Sequence, residues 1–186
     1  MKKITKQQQI AILENPTNIN NQKDLKLELV KKQIKEYKNL SYIFPLYSIE
    51  IKICSSKILE IILNHLKISE HFSSVEYCIR EIMANAYKAN LKKIYFDENN
   101  ADLENSEDYQ KTIVGFYQNI FASEKDYQKK SKKSGYFLAL CFQLTEKNLI
   151  IEIINNRKIC DTEKNRIDKL LDVALKLKSP DRKSVV

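Results

Sequence analysis

The chain has 186 residues, of which 43% are apolar, and a formal net charge of +8 from 32 basic and 24 acidic residues. This length is typical of one domain with a sizeable buried core. The positive charge alone does not indicate a nucleic-acid partner, because the basic residues are mostly lysines rather than arginine clusters with interleaved aromatics. No apolar run approaches a membrane span and the N-terminus has no signal segment, so we expect a cytoplasmic protein without a membrane partner.

Few residues in the chain are suited to the common cofactor and metal sites. The chain has two glycines, Gly115 and Gly135, which excludes a Walker-type phosphate loop and a dinucleotide fingerprint. The four cysteines form no Cys-x-x-Cys pair and stand in apolar surroundings, so we expect small buried thiols rather than metal ligands or disulfides.

The sequence of the N-terminal part of the chain indicates an arm followed by a helix. Residues 1–21 are polar and Asn-rich, which indicates a flexible arm. Residues 22–40 predict an N-terminal helix with one apolar face, made of Leu27, Val30, Ile34 and Tyr37. The sequence does not decide whether this face packs on the domain or pairs with another protein or a second copy. Residues 42–45 are expected to break the helix.

The next elements are predicted from two different periodicities. In residues 47–54, Ile49, Ile51 and Ile53 alternate with charged residues, which is typical of a half-exposed strand. Ser55 and Ser56 are then placed to cap a helix that reaches Leu66.

Residues 74–90 predict an amphipathic helix, with Ser73 and Glu76 as its capping box. Its expected apolar stripe consists of Val75, Ile79, Ile82, Ala86 and Ala89. Glu81, Asn85 and Lys88 recur at i, i+4 and i+7, so they form one polar stripe beside the apolar one. We expect this polar stripe to line a cavity against the sheet, with Asn85 partly buried.

The second half of the chain predicts a mixture of strands and helices. Residues 93–96 resemble a short strand, and residues 106–132 a long helix. Two apolar runs, 135–145 and 149–154, lie a few residues apart and predict a hairpin. Residues 162–178 predict a last helix, which Pro180 stops.

The run Glu-x-x-x-Asn-Ala-x-Lys-Ala at residues 81–89 resembles the asparagine box of the GHKL ATPases, most closely that of the histidine-kinase branch. The resemblance implies that Glu81 orients water and that Asn85 binds the magnesium that bridges the phosphates. It also implies that Lys88 lies near the phosphates. Asn155, which follows the hairpin strand, stands where the family has the aspartate that recognises adenine.

The chain departs from this family at its glycine boxes. Arg157 and Ile159 stand where the first box has glycines, and the second box is missing. The resemblance covers roughly residues 47–160, and the helix at 106–132 is an insertion with no counterpart in the minimal family pattern. These departures imply that the ATP-binding domain, which follows the arm at 1–21 and the N-terminal helix at 22–40, is incomplete at 41–186, either naturally short or truncated.

The sequence therefore predicts an α/β protein whose helices are layered on one face of a mixed or antiparallel sheet. The resemblance implies a regulatory or signalling module that binds ATP with Mg²⁺ and is not active alone. The alternative is a non-catalytic interaction protein that uses its basic helices to bind a protein or nucleic acid. Protection against heat by a nucleotide would separate the two.

Overall fold

Helices packed on one face of a four-stranded sheet make up the fold. The computed structural model describes residues 16–37, 39–145, 148–157, 159–161, 163–165, 167–169 and 172. The elements in chain order are β1 (Thr17–Asn18), α1 (Leu27–Glu36), β2 (Asn39–Phe44), α2 (Ile49–His65), α3 (Phe72–Glu98), α4 (Ser106–Ala122), α5 (Glu124–Lys133), β3 (Leu138–Leu144) and β4 (Leu149–Asn155). The chain is helical again from Asp161.

The strands lie in the order β1, β2, β3, β4, and the sheet is mixed. β1 runs parallel to β2, whereas the β2–β3 and β3–β4 pairs are antiparallel. Because side chains alternate along a strand, Tyr42, Leu140 and Phe142 point into the main core beneath the helices. Ala139 and Cys141 belong to a smaller cluster on the opposite face. The predicted fold class and the predicted hairpin are confirmed.

The N-terminal segment is more ordered than its polar sequence indicates. Thr17 and Asn18 form β1, and Ile19, which donates its N–H to Ile43 O at 2.8 Å, is fully buried. The prediction of a flexible arm is therefore wrong for this part of residues 1–21, and residues 1–15 lie outside the described residues. The polar composition of this segment conceals that one residue, Ile19, is buried next to β2.

The N-terminal helix is shorter than predicted, and a strand follows it. α1 ends at Glu36, and residues 39–44, expected to end the helix and break it, form the inner strand β2. Val30 and Ile34 of α1 are buried in the main core. Half of the predicted apolar face, Val30 and Ile34, thus packs on the domain, whereas Leu27 and Tyr37 are exposed.

The strand predicted at residues 47–54 is wrong, because these residues belong to α2. Ser48 caps this helix by accepting a hydrogen bond from the N–H of Ile51, at 3.4 Å. The buried residues recur every three or four positions, as a helix requires; they are Ile51, Cys54, Ser55, Ile58, Leu59, Ile62 and Leu63. Ile49, which suggested the alternation, is 74% exposed.

The strand predicted at residues 93–96 is also wrong, because α3 continues through them to Glu98. Ile94, Tyr95 and Phe96 are all buried, since helices and sheet surround this end of α3 on several sides. A short apolar run has no period that separates a buried strand from a buried helix. Ser73 and Glu76 form no capping box; Glu76 instead accepts a hydrogen bond from Ser56 Oγ, at 2.9 Å.

The long helix predicted at 106–132 is two helices, α4 and α5, divided at Ser123. α4 packs against α3 through an edge-to-face contact of Phe116 with Tyr95, with ring centroids 5.8 Å apart. The two glycines have structural roles here. Gly135 has a φ of 69° in the turn from α5 to β3, and a Cβ on Gly115 would lie 2.5 Å from the Tyr95 hydroxyl.

Gly115→Ala should lower the free energy of unfolding by about 1–3 kcal/mol, because the added methyl overpacks the contact with Tyr95. Chemical denaturation measures the change. Tyr95→Phe removes the oxygen that clashes, so the double variant should recover most of the loss. Tyr95→Phe alone is the control, because it also removes the 3.3 Å hydrogen bond donated by Asn119. A Gly115→Ala protein that is more stable than the wild type would contradict the close approach.

Candidate functional site

The polar stripe of Glu81, Asn85 and Lys88 lies on the outward face of α3. All three side chains are exposed, and none forms a hydrogen bond or ion pair with another described residue. The predicted cavity around a partly buried Asn85 is therefore wrong. The three groups do remain available to a ligand from solvent.

The polar stripe is exposed because the residues that α3 buries lie on the opposite side of the helix. Residues two positions apart on a helix point about 200° apart, which is nearly opposite. Asn85 lies two positions from Met83 and from Tyr87, and both of these are buried. The sequence had placed Ile82 inward, but its side chain is 53% exposed. Met83 and Tyr87 are buried in the core instead, and the buried stripe is rotated away from the polar stripe.

The same outward face is covered one turn further along, at Lys92. Its ammonium forms an ion pair with Glu163 from the helical segment after β4, and it also donates a 3.4 Å hydrogen bond to Tyr109 Oη. Burial lowers the pKa of Lys92, but the hydrogen bond and the charge of Glu163 outweigh burial, so the pKa lies above its ordinary value. Sequence reasoning missed this lysine. Its position, four residues after Lys88, was the available signal.

Asn155 lies at the end of β4 and contacts α3 at Ala86, the residue that follows Asn85 in the chain. Its Nδ2 donates to Ala86 O at 3.3 Å and to Asn90 Oδ1 at 3.4 Å. Asn90 is buried, and its own Nδ2 donates to Phe137 O at 3.4 Å. A backbone carbonyl only accepts, so the bond to Ala86 fixes which way the Asn155 amide points. The structure therefore brings Asn155 to the turn of α3 that carries Asn85, although the two residues are far apart in sequence. Asn155 binds the sheet-facing side of this turn, whereas the Asn85 side chain points outward. We call this turn and the end of β4 the corner.

Arg157 and Asn156 reinforce the same corner. Arg157 NH1 donates to Ala89 O at 3.3 Å. Asn156 accepts from Phe137 N at 2.8 Å and donates to Gly135 O at 2.9 Å. The residues that stand where the family has its first glycine box thus bind the backbone of α3 and the start of β3, and they fix the end of β4.

The donor chemistry of the polar stripe suits magnesium better than a softer metal. Mg²⁺ takes oxygen ligands and is commonly held by one or two protein oxygens together with phosphate and water. Asn85 offers an amide oxygen, and Glu81 offers a carboxylate one turn earlier. Within the described part of the chain, no group of three His, Cys, Asp or Glu residues is arranged to hold a metal. Three of the four cysteines are buried as expected, whereas Cys78 is exposed.

A cavity of about 320 Å³ lies at the other end of α3, away from the polar stripe. Its lining residues are Ile94, Asp97, Glu98, Lys130, Lys133, Ser134 and Tyr136. Two of its charges are paired with each other, since Lys130 forms a 2.7 Å ion pair with Glu98, and a third, Asp97, is paired with Lys93. Tyr127 donates a hydrogen bond to the same carboxylate, and burial together with Glu98 raises the pKa of Tyr127 to about 12. None of the predicted site residues lines this cavity.

Comparison with known proteins adds one distant relative. No protein-family model and no solved structure matches the chain. An uncharacterized protein of Treponema pallidum (strain Nichols) is 34% identical to it over 91 residues, which are 49% of this chain and 18% of that protein. The match thus spans about a fifth of that relative's length. No described helix is long and apolar enough to cross a membrane.

Glu163→Gln should destabilise the fold by about 3 kcal/mol, because it leaves the buried Lys92 ammonium without its counter-charge. The two side chains are only 9% and 16% exposed. Replacing both by apolar residues, Lys92→Met with Glu163→Leu, should recover most of the loss. Asp168→Asn, which removes an exposed ion pair of the same segment, is the matched control and should leave the denaturation midpoint unchanged.

The effect of Glu163→Gln should also depend on pH. A lysine whose folded-state pKa is raised contributes stability below its unfolded pKa of about 10.4, and this contribution is lost as the pH rises through the folded-state pKa. The difference between wild type and Glu163→Gln should therefore be constant from about pH 7 to 9 and shrink above about pH 10.5. A difference that grows with pH would contradict this assignment.

Proposed function

We propose that the chain binds a magnesium–adenine nucleotide weakly on the outward face of α3, as a regulatory or signalling module. The observation that supports this most is the contact of Asn155 with Ala86 and Asn90. It puts the residue at the resembled adenine position beside the helix turn that follows the resembled magnesium ligand, Asn85.

In this proposal each residue of the corner has one role. The amide oxygen of Asn85 holds the magnesium, which neutralises phosphate charge when bound. The ammonium of Lys88 binds the phosphates, and the carboxylate of Glu81 orients a water molecule. Asn155 borders the sheet-facing side of the same turn and would take the base across the end of β4, with its Oδ1 as the acceptor, because Nδ2 is bound to α3.

The exposure of the polar stripe limits how tight this binding is. Charged groups in full contact with water interact weakly, because the solvent screens them. We expect a Kd on the order of 0.1–1 mM, equivalent to about 4–5.5 kcal/mol. An enclosed ATPase site would bury Asn85, so its exposure counts against turnover.

Asn85→Ala should abolish magnesium-dependent binding of a non-hydrolysable ATP analogue and leave the fold unchanged, because the side chain is exposed. Titration calorimetry with and without Mg²⁺ measures binding, and thermal unfolding measures the fold. Asn64→Ala removes another exposed helical asparagine and is the matched control. Equal binding by the two variants would exclude Asn85 as the magnesium ligand.

ATP should not be hydrolysed above background by this chain alone, since the described residues do not enclose the phosphates around Glu81 and water stays free to exchange. Phosphate release by the purified protein is the measurement, with Glu81→Ala as the comparison. Release that depends on Glu81 would show that enclosure by this chain is not required.

The second candidate is a non-catalytic interaction protein. Tyr77 and Ile82, on the same half of α3 as the polar stripe, are both more than half exposed. In this candidate the basic helices bind a protein or nucleic acid, and exposed apolar side chains such as these add contact area. A nucleotide at about 100 times its Kd stabilises a protein by about 2.7 kcal/mol, so a thermal midpoint that nucleotide leaves unchanged would favour this candidate over the first.

A further inference from the structure

The second strand of the hairpin, β4, forms one edge of the sheet. It pairs with β3 along its whole length, from Leu149 to Asn155, and no other described residue pairs with it. Proteins normally block such an edge, because its free N–H and C=O groups can pair with any extended chain. An edge that the described residues leave unpaired can therefore accept another strand.

The hydrogen bonds of the hairpin tell which backbone groups are free. Thr145 donates its N–H to Asn148 O at 2.9 Å, in the same register as the ladder. In an antiparallel pair, bonded and non-bonded positions alternate. Ile150 and Glu152 therefore bond inward to β3, whereas the N–H and C=O groups of Ile151 and Ile153 point outward from the edge.

β4 is apolar except at Glu152, near its centre, and at Asn155, its last residue. Its sequence is Leu-Ile-Ile-Glu-Ile-Ile-Asn, so Glu152 is its single charged residue. Ile150 is 44% exposed and Ile154 is half-buried, whereas the residues of the neighbouring strand β3 are mostly buried. The aliphatic side chains of β4 thus remain partly uncovered.

Glu152 determines which kind of strand fits. On the outer face of the sheet it continues the cross-strand row of Ser41 and Cys141, with Ile150 and Ile154 on either side. It is exposed and forms no ion pair with another described residue. A strand added at the edge would place one side chain opposite this carboxylate and two others opposite the isoleucines.

A second copy of the chain matches this edge poorly. An antiparallel pair centred on Glu152 would place two carboxylates opposite each other, and like charges in that position destabilise a sheet. Sliding the copy by two residues sets Glu152 against an isoleucine, Ile150 or Ile154, and leaves its charge unpaired. A peptide strand matches all three residues if it has a lysine or arginine opposite Glu152 and an aliphatic residue two positions away on each side, opposite Ile150 and Ile154.

We propose that the open edge of β4 binds an extended peptide segment with the pattern aliphatic-x-basic-x-aliphatic by adding it as a fifth strand. Backbone bonds to Ile151 and Ile153 supply affinity, and the ion pair with Glu152 supplies selection. The net charge of +8 opposes a basic peptide, but charges farther than about 8 Å are largely screened at physiological salt. The nearby charge of Glu152 therefore determines whether a basic or an acidic peptide is preferred. This inference does not depend on nucleotide binding.

The test uses the full chain and two synthetic peptides, acetyl-Thr-Val-Thr-Lys-Thr-Val-Thr-amide and the same peptide with Glu in place of Lys. Amide hydrogen exchange followed by NMR should show that the lysine peptide slows exchange at Ile151 and Ile153 about tenfold. The amides of Ile150 and Glu152 are internal controls, because they are already bonded to β3. Exchange that is unchanged at Ile151 and Ile153 would overturn the proposal.

Charge selection is tested by the variant Glu152→Lys, which is exposed and should fold normally. Wild type should prefer the lysine peptide about fivefold, and the variant should prefer the glutamate peptide by a similar factor. Equal binding of both peptides would overturn the role of Glu152. Protection without peptide would overturn the proposed occupant: if it grows with protein concentration, a second copy covers the edge, and if it does not, the chain covers the edge itself.

Discussion

The buried side of α3 is the surface on which the rest of the domain is assembled. α2, α4, α5 and the β3–β4 hairpin all pack on this helix. Between residues 90 and 96 it is covered on several sides, so that even Lys92, on the outward face, is buried and needs Glu163 as a counter-charge. Before residue 90 the outward face of the helix is uncovered, which leaves the polar stripe in solvent. The fold and the candidate site are two consequences of this unequal packing.

The fold class and the hairpin could be predicted because their signals are local. Long β-branched and aromatic runs separated by a short turn have few alternatives. The strand predictions for residues 47–54 and 93–96 were wrong for a different reason. Each is a short apolar stretch whose packing partners lie far away in sequence. Ser48 caps a helix that the isoleucine alternation concealed, and Phe96 is buried by helices that follow it in the chain. The inner strand β2 was not predicted, because Pro45 indicates the end of a helix as readily as the end of a strand.

The site residues could be found from sequence, but their environment could not. Spacing alone places Glu81, Asn85 and Lys88 on one stripe, and the structure agrees. Whether that stripe faces a cavity depends on which neighbouring side chains fill the core, and Met83 and Tyr87 do so in preference to Ile82. The contacts of Asn155 with Ala86 and of Glu163 with Lys92 were not signalled in the sequence, because each joins residues from different elements.

The topology of the sheet has a consequence for the order of folding. The strands β2 and β3 pair with each other, yet α2, α3, α4 and α5 all lie between them in the chain. Closing so long a loop costs conformational entropy before any ladder bond forms. The β3–β4 hairpin and the α2–α3 pair need only local contacts and are expected to form early, whereas the β2–β3 ladder must wait until the helices have brought the two strands together. The rate of folding should therefore be governed by this single non-local seam.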